Sequence, residues 1–416
     1  MHLSTVSEWM SWIESIHATE IDLGLERVKM VAERLGVLTP KCPVIIVGGT
    51  NGKGSTVSGL EAIYRAAGYQ TGAFTSPILF RQNEQVRING NLAKDEEFCE
   101  AFAKVESARG GISLTPFEYC TLGALCIFQN YPLDIMILEV GMGGRLDAVN
   151  ILNADVAVVA SVGIDHISWL GHTRELIGRE KAGIFRAERP AVCGDFDPPV
   201  SLIEAAADLP APLYFHGRDF DFEETTDHWT WTHQGIRYES LPLNSLSTQN
   251  MSVVLMVITL LQAKLPVKRE AIDKGLKEVT LPGRIQIIAD DVTEIFDVSH
   301  NPDAVAFLKQ KLDTMMCTGR TLAVFSMLSD KDIIGSLTVI KDRIDEWYAA
   351  SLQTKRSSTM ELLEESFAAA EISQVRFFST LAEAYQAAIQ SARMGDRVIV
   401  FGSFHAVAEA WRARKE

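Results

Sequence analysis

The stretch VGGTNGKGST, residues 47–56, combines residue types that bind phosphate. Backbone N–H groups of such a glycine loop can turn inward around an anion, and a lysine adds a full positive charge. The spacing differs from the common pattern of Gly, four residues, Gly, Lys and then Ser or Thr. Val47 stands where the first Gly belongs and Gly54 follows Lys53 directly, so Ser55 is the hydroxyl expected to face Mg²⁺.

The neighbours of this stretch decide between a phosphate loop and a glycine turn that merely connects two elements. An apolar strand is predicted at 44–48, and a helix from Ser55 to Ala67, in which Val57, Leu60 and Ile63 follow helical spacing. Strand, loop and helix in this order put the positive end of the helix dipole at the loop. A plain connecting turn rarely carries a lysine and a hydroxyl together, so the sequence favours a phosphate-binding loop.

The stretch LEVGMGGRLDAVN, 138–150, offers a carboxylate for a metal ion. Glu139 ends a predicted buried strand and is followed by glycines, so its side chain is expected at the carboxyl edge of the sheet, where α/β proteins bind ligands. A carboxylate there is placed to hold Mg²⁺ opposite the phosphates. The alternative is a structural Glu139 in a salt bridge with Arg145.

Two further stretches carry reactive side chains, but their own patterns favour plainer interpretations. VGIDHISWLG, 162–171, puts Asp165 and His166 in a turn after another strand, and a lone histidine is more often structural than a ligand. GREKAGIFR, 178–186, puts Lys181 among charged residues, which by itself predicts a solvated charged helix. From these patterns alone neither residue receives a function.

Strands that alternate with helical segments must position these residues. Their apolarity is continuous rather than alternating, which predicts strands covered on both faces and therefore a parallel α/β architecture, formed twice along the chain. The predicted strands are 44–48, 134–140, 155–162, 293–299, 320–327 and 396–403.

One region departs from this alternation. Residues 212–240 consist of short β-rich pieces, and HQG before Ile236 is typical of a hairpin turn, so we expect an antiparallel appendage to the first domain. Pro and Gly in LPGR, 281–284, follow a helix and precede a new strand, which marks a boundary. The expected domains are 1–283 and 284–416.

Composition excludes several classes of function. A chain of 416 residues with 47% hydrophobic residues is long enough for two or three domains with real cores. Its net charge of -15 disfavours nucleic acid and anionic membrane surfaces as partners. The six cysteines form no C-x-x-C pair, which favours a reducing cytoplasm. The sequence shows no secretion signal and no apolar run of about 18 residues, so we expect a cytoplasmic protein.

Taken together, the motifs resemble the folylpolyglutamate synthase and dihydrofolate synthase family, the folate branch of the Mur ligase superfamily. Their order and spacing match that family over nearly the whole chain. The matching segments are GGTNGKGST, TSPILFRQNEQVRING, LEVGMGGRLDAVN, GIDHISWLG, GREKAGIF, LPGR, IFDVSHNPDA and FGSFHAVAE.

The resemblance implies an α/β fold. It consists of an N-terminal P-loop ATPase-like domain, with a mostly parallel sheet and the small antiparallel appendage, and a smaller C-terminal α/β Rossmann-like domain. The nucleotide-binding residues that it implies are Gly49, Thr50, Asn51, Gly52, Lys53, Gly54, Ser55, Asn250, Arg284 and Asp297.

Two Mg²⁺ sites are also implied by the resemblance. Ser55 and Glu139 hold the first ion, and Ser76 and His166 hold the second. In the family the lysine that matches Lys181 reacts with CO₂ to give a carbamate, which turns a cation into an anion that faces the metal. Lys53, Lys181 and His166 are therefore the expected catalytic residues.

The resemblance places 7,8-dihydropteroate against three segments of the first domain and places L-glutamate near His300. Local explanations exist beside it: Asp22 can simply precede an amphipathic helix, and Thr115 with Glu118 forms a capping box that has Pro116 at the first helical position. The expected pterin-binding residues are Asp22, Leu23, Gly24, Thr115, Pro116, Phe117, Glu118, Leu146, Asp147 and Ala148.

The sequence departs from the family near the second metal. Ile78 stands where relatives usually carry His, and Asn83 and Gln85 stand where a Tyr and an Arg are common. We expect these residues in a mobile loop beside the metal and the substrate, where they would affect metal affinity and substrate range.

The expected function is ATP-dependent ligation of L-glutamate to 7,8-dihydropteroate, with further γ-linked glutamates added to reduced folates, through an acyl phosphate. The family resemblance also implies a monomer. Three alternatives remain: a Mur-type cell-wall amino-acid ligase, a P-loop ATPase that makes no bond, and a nucleotide kinase. The pterin-like segment at 19–28 disfavours the first, and the large C-terminal α/β domain disfavours the last.

Overall fold

The computed structural model describes residues 3–19, 21–354 and 356–415. The chain divides into two compact units, Met1–Thr280 and Leu281–Glu416. The functional domains 1–283 and 284–416 stay a prediction.

The N-terminal unit is an α/β structure. Its helices are α1 (Val6–Ser15), α2 (Glu26–Leu35), α3 (Lys53–Ala66), α4 (Asp95–Arg109), α5 (Pro116–Phe128), α6 (Ile167–Leu170), α7 (Arg174–Ala182), α8 (Val200–Asp208), α9 (Thr248–Leu261) and α10 (Arg269–Glu278). Its strands are β1 (Val44–Gly48), β2 (Thr71–Phe74), β3 (Val86–Ile88), β4 (Asn91–Leu92), β5 (Ile135–Glu139), β6 (Val156–Val159), β7 (Ala191–Cys193), β8 (Leu213–Phe215), β9 (Phe220–Glu224), β10 (His228–His233) and β11 (Ile236–Pro242).

The large sheet of this unit has the strand order β4-β3-β2-β5-β1-β6-β7-β8 over the described residues. The strands from β2 to β8 in that order pair in parallel, and β3 and β4 extend the edge in antiparallel fashion. Every residue of β1, β5 and β6 is buried, as continuous apolarity predicts for strands covered on both faces. The carboxyl ends of β1 and β5 therefore lie side by side at one edge.

Helix α3 packs on this sheet with an almost entirely buried surface. It begins at Lys53, two residues before the predicted Ser55, with Gly52 as its N-cap in the left-handed region (φ 84°). Val57, Leu60 and Ile63 are all fully buried, as their spacing predicts. The helix thus starts inside the glycine loop rather than after it.

The β-rich region is only partly an appendage. Strands β9, β10 and β11 form a separate antiparallel sheet, as predicted. Gln234 and Gly235 turn the hairpin with positive φ angles of 42° and 85°, which suit a two-residue turn between twisted strands. The assignment of the first piece to the appendage is wrong, because β8 pairs in parallel with β7 in the large sheet.

The C-terminal unit is a smaller α/β structure with its own core. Its strands are β12 (Gln286–Ala289), β13 (Thr293–Phe296), β14 (Thr321–Phe325), β15 (Glu346–Ala350), β16 (Val375–Phe378) and β17 (Arg397–Phe401). Its helices are α11 (Pro302–Thr314), α12 (Ile333–Ile340), α13 (Met360–Ala369), α14 (Leu381–Ser391) and α15 (Phe404–Lys415). The described strands run in the order β12-β13-β17-β14-β15-β16, parallel except for β12, so the α/β class predicted for both units is confirmed.

Two further observations concern the environment of the protein. All six cysteines are free thiols. Among the described residues, no helix is both long and apolar enough to cross a membrane.

Candidate active site

The glycine loop between β1 and α3 has a backbone conformation that requires glycine. Gly49 and Gly52 have φ angles of 139° and 84°, which side chains rarely adopt. A Cβ on Gly49 would lie 3.0 Å from the backbone nitrogen of Ala160, so only glycine fits there. The loop opens at the start of a 14-residue helix, whose dipole favours an anion. The geometry suits a phosphate group.

Hydrogen bonds to the segment after β6 hold this loop in place. The Thr50 hydroxyl donates to the carbonyl of Gly163 and accepts from its N–H, both at 3.0 Å. The backbone N–H of Asn51 donates to Ser161 Oγ at 3.0 Å, and that hydroxyl donates to the Asn51 carbonyl at 3.0 Å. The sequence pattern gave no reason to single out Ser161, because its partner is more than a hundred residues away.

Lys53 and Asn250 both belong to the loop region. Lys53 Nζ donates to the carbonyls of Gly49 at 3.2 Å and Thr50 at 3.3 Å, which keeps its charge over the loop. A Cβ on Gly52 would lie 2.4 Å from Asn250 Oδ1, so the Asn250 amide packs directly on the loop. The structure therefore brings two predicted nucleotide residues together that are separated by almost two hundred positions.

Glu139 lies at the sheet edge next to the loop, as predicted. It is the last residue of β5, which pairs in parallel with β1, so strand and loop end at the same edge. The N–H of Ser76, just after β2, donates to Glu139 Oε2 at 3.2 Å. The alternative interpretation, a salt bridge between Glu139 and Arg145, is wrong. The Arg145 guanidinium instead forms an ion pair with Glu180 at 2.9 Å.

Oxygen ligands at this edge fit a hard divalent cation. The Glu139 carboxylate and the Ser55 and Ser76 hydroxyls are oxygen donors of the kind that Mg²⁺ takes. Among the described residues, no three His, Cys, Asp or Glu side chains cluster closely enough to bind a metal by themselves. A Mg²⁺ site usually takes one or two protein groups and completes its shell with water and phosphate oxygens.

Lys181 is buried rather than solvated, so its interpretation as part of a solvated charged helix is wrong. It lies on α7 with 3% of its surface exposed. Burial, reinforced by the charge of Lys53 and opposed by Asp165 and Asp147, lowers its pKa to about 7. A large fraction of the Lys181 amines is therefore neutral near physiological pH.

Asp147 is a buried carboxyl group whose pKa is shifted in the opposite direction from that of Lys181. Burial raises its pKa to about 7, although backbone N–H groups, those of Met142 and Val149 first among them, favour the ionised form. The distances are 2.9 Å from Met142 N to Oδ2 and 3.1 Å from Val149 N to Oδ1. Perturbed pKa values of opposite direction on adjacent buried groups are typical of functional sites.

His166 is the N-cap of α6 and has a left-handed conformation (φ 50°). Its N–H donates to Asp165 Oδ1 at 2.7 Å, and its ring Nε2 lies 3.9 Å from the other oxygen of that carboxylate. Gly144 brings the segment after β5 against α7, since a Cβ there would lie 3.1 Å from Lys181 Cα. A Cβ on Gly143 would lie 3.0 Å from Leu170 Cδ2, so the stretches 162–171 and 178–186 both pack against the segment that follows Glu139.

The pterin-binding segments predicted at 22–24 and 115–118 lie close together. Thr115 and Glu118 form the predicted capping box of α5, with distances of 2.7 and 3.2 Å. Arg27 on α2 contacts both Asp22 and Glu118. A Cβ on Gly141, five residues before the third predicted segment, would lie 2.6 Å from the Phe117 ring, so the chain that leads to that segment packs against the second. Arg27 stands within the segment 19–28 but is not among the residues that the sequence predicts to bind the pterin.

The predicted site residues of the C-terminal unit are Arg284 and His300, which lie near the Phe404 ring, and Asp297, which is buried. The Arg284 guanidinium lies 5.0 Å from the ring centre of Phe404, and the His300 ring lies 6.1 Å from the same ring. Asp297 is buried and accepts from the N–H groups of Ile285 and Ser299, both at 2.9 Å.

We expected all three departures from the family, Ile78, Asn83 and Gln85, in a mobile loop, and for two of them this is wrong. Asn83 and Gln85 form one turn of 3₁₀ helix, Gln82–Gln85, and both side chains are buried. Asn83 Nδ2 donates to the Ala93 carbonyl and to Asp95 Oδ1, each at 2.8 Å. The Asn83 amide therefore serves packing.

Comparisons with known proteins identify relatives over the whole length. Residues 283–404 match the model of the Mur ligase, glutamate ligase domain. The dihydrofolate synthase/folylpolyglutamate synthase of Escherichia coli K12 is 45% identical over 97% of this chain and 94% of its own. The structure of E. coli FolC in complex with DHPP and ADP superposes with a TM-score of 0.95, at 44% identity and 99% coverage of both chains.

A second solved structure extends this likeness. It is a bifunctional folylpolyglutamate synthase/dihydrofolate synthase with Mn, AMPPNP and L-glutamate bound. Its TM-score is 0.93, at 43% identity, and the match covers 99% of this chain and 98% of that one.

Proposed function

Because the chain belongs to the dihydrofolate synthase/folylpolyglutamate synthase family, we propose that it joins L-glutamate to 7,8-dihydropteroate and extends reduced folates with γ-linked glutamates. It is an ATP-dependent ligase of the Mur ligase type, and it binds ATP and a divalent metal ion. The observation that carries the proposal is one sheet edge, where β1 ends in the glycine loop and the adjacent β5 ends in Glu139.

The chemistry follows from the poor reactivity of a carboxylate. A carboxylate oxygen of the acceptor attacks the γ-phosphorus of ATP, and ADP leaves with the electrons of the broken bond. The neutral α-amine of L-glutamate then attacks the carbonyl carbon of the acyl phosphate, inorganic phosphate leaves with the electrons of the broken C–O bond, and the nitrogen loses a proton to give the amide. Lys53 and the loop N–H groups offset negative charge on the transferring oxygens, which is how enzymes accelerate phosphoryl transfer.

We assign two Mg²⁺ sites to the residues around the sheet edge. Ser55 and Glu139 would hold the first ion, and Ser76, His166 and Lys181 would hold the second. Bound metal neutralises phosphate charge and orients the γ-phosphoryl group. The hydrogen bond of 3.2 Å from Ser76 N to Glu139 Oε2 supports this assignment, because it puts the two sites at neighbouring strand ends.

Lys181 is proposed to carry a carbamate. An uncharged amine reacts with CO₂ and a protonated one does not, so burial that lowers the pKa of Lys181 to about 7 prepares it for this reaction. The amine nitrogen adds to the carbon of CO₂ and loses a proton. The product is an anion close to the charge of Lys53.

The remaining predicted roles are proposed from the same resemblance. Asn250, Arg284 and Asp297 would bind the nucleotide, His300 would seat L-glutamate, and Asp22 to Gly24, Thr115 to Glu118 and Leu146 to Ala148 would bind the pterin. We further propose a monomer that works in the cytoplasm without nucleic-acid or membrane partners, in keeping with the free thiols and the net charge of -15.

An isotope experiment tests the reaction. Dihydropteroate that carries ¹⁸O in its carboxylate is incubated with ATP, Mg²⁺ and L-glutamate, and both products are analysed by mass spectrometry. We expect dihydrofolate together with inorganic phosphate that has gained one ¹⁸O atom. Dihydrofolate with unlabelled phosphate would exclude the acyl phosphate, and the absence of dihydrofolate would exclude the ligase activity on this acceptor.

A further inference from the structure

Arg27 joins two segments of the N-terminal unit, and its partner in the second segment, Glu118, is 91 positions away along the chain. Its Nη1 lies 2.7 Å from Asp22 Oδ2. Its Nη2 donates to the Asp22 carbonyl at 2.8 Å and to Glu118 Oε1 at 3.1 Å. One guanidinium therefore holds the backbone and side chain of the first segment and the carboxylate of the second.

The first segment depends on such side-chain contacts. Between His17 and Leu25 the described backbone is neither helix nor strand, and Glu20 lies outside the described residues. Asp22 is approached by Arg27 and, at 3.5 Å, by His17 Nε2. A segment that lacks the regular backbone hydrogen bonds of a helix or strand can adopt many conformations. Side-chain contacts must therefore hold it in one of them.

In the second segment both oxygens of the Glu118 carboxylate accept hydrogen bonds. Glu118 has 4% of its side chain exposed, so its charge needs partners. Oε2 accepts from the Thr115 N–H at 2.7 Å, and Oε1 accepts from Arg27 at 3.1 Å. The contacts tie the start of α5 to α2 and neutralise a buried charge beside the residues proposed to face the pterin.

We propose that Arg27 is a positioning residue for 7,8-dihydropteroate. It fixes the separation of Asp22–Gly24 from Thr115–Glu118 and thereby sets the width of the slot for a flat heteroaromatic ring. This proposal rests on the proposed function. The planar fork of arginine is required, because its nitrogens reach Asp22 and Glu118 together whereas the single ammonium of lysine cannot bond both in the same geometry.

Steady-state kinetics of Arg27→Ala and Arg27→Lys test this role. We expect Arg27→Ala to raise the KM for dihydropteroate by about tenfold or more, with kcat within roughly twofold and the KM for ATP unchanged, because bonds to charged groups that shape only this pocket are lost. Arg27→Lys should fall between the two. An unchanged KM for dihydropteroate in Arg27→Ala would overturn the proposal.

Arg34→Ala is the matched control. Arg34 lies on the same helix, and its guanidinium also bonds outside the helix, to the carbonyls of Ala108 and Arg109 at 2.8 and 3.0 Å. It contacts neither pterin segment through those bonds. An equal rise in the KM for dihydropteroate in both variants would mean that any loosening of α2 suffices, which overturns the specific role of Arg27.

A second variant separates positioning from folding. Arg27→Ala leaves Glu118 buried without one partner, so Tm should fall, and Glu118→Gln in the same chain removes that charge and should restore Tm. Because Glu118 is itself proposed to bind the pterin, the proposal requires the KM for dihydropteroate of the double variant to stay well above that of Glu118→Gln alone. Recovery of KM together with Tm would show a merely structural role. If the wild-type protein does not use dihydropteroate at all, the proposed function itself fails, and that measurement comes first.

Discussion

Lys53 is the side chain whose full charge the proposed phosphoryl transfer uses most directly. We expect Lys53→Met to lower kcat by roughly 10³-fold, because charge on the transferring oxygens is then left to the loop amides and the metal. The measurement is phosphate release at saturating substrates. Lys104→Met, on the exposed face of α4, should keep wild-type activity.

The two lysine variants must also be compared by Tm, since Lys53 Nζ donates to two loop carbonyls. Loss of activity with an unchanged Tm supports the catalytic role. Activity of Lys53→Met within tenfold of the wild-type value would contradict it.

Lys181 gives a prediction that depends on CO₂. The pKa of about 7 makes the amine reactive, so activity should fall in CO₂-depleted buffer and return when bicarbonate is added. Lys181→Ala should be inactive and insensitive to bicarbonate, and acetate should restore part of its activity by supplying an external carboxylate. Full activity of Lys181→Ala without additives would refute the carbamate.

At the residue scale, the features that the sequence predicted correctly are those that depend on neighbouring residues along the chain. The glycine loop and Glu139 follow from a strand that ends in glycines, and the structure places both at one edge. The prediction for Lys181 was wrong. Its charged neighbours Arg179 and Glu180 suggested a solvated helix, whereas the Lys181 side chain lies on the buried face of α7. No role could be predicted for Arg27 from the sequence, since the proposed role depends on its contact with Glu118, which is distant along the chain and which no local pattern reveals.

His216 makes the region between β8 and β9 sensitive to acid. It is 1% exposed and packs on the rings of Phe196, Phe220 and Phe222, at centroid distances of 4.5, 4.7 and 5.2 Å. Among the described residues neither ring nitrogen has a hydrogen-bond partner, and Asp221 Oδ1 lies 3.6 Å from Nδ1. Burial lowers the pKa of His216 from 6.5 to about 4, although Asp221 opposes the shift.

The sign of the effect on stability follows. Between pH 6.5 and about 4 the unfolded chain binds a proton at this histidine that the folded chain does not, so the free energy of unfolding falls as pH falls through that window. The full loss is about 3 kcal/mol. His216→Phe should flatten this part of the profile in urea titrations, and His172→Phe, at an exposed site, should not. A profile of His216→Phe as steep as that of the wild-type protein would contradict this assignment.

At the element scale, sequence pattern identified strands better than it identified sheets. The six apolar runs all contain strands, and HQG is at the hairpin turn. The piece Leu213–Phe215 was assigned to the wrong sheet, because three residues carry no periodicity that separates a parallel partner such as β7 from an antiparallel one. Pairing is decided by tertiary contacts that a short run does not encode.

The whole molecule belongs to a family whose members are named for two activities. Its predicted departures from the common motif are Ile78, Asn83 and Gln85. Asn83 and Gln85 are buried in a turn of helix, so we expect them to alter packing rather than chemistry. Asn83→Tyr should therefore lower Tm, because the larger ring must displace the contacts to Ala93 and Asp95. An unchanged Tm, measured by calorimetry, would contradict this packing role.

The most direct test of the whole account is phosphate release from ATP by the purified protein with L-glutamate and one acceptor at a time. The acceptors are 7,8-dihydropteroate, tetrahydrofolate, a UDP-linked muropeptide precursor and none. We predict release with both pterin substrates and none above background with the other two conditions. Release with the muropeptide alone, or at the same rate without any acceptor, would contradict a folate ligase and indicate a cell-wall ligase or a plain ATPase.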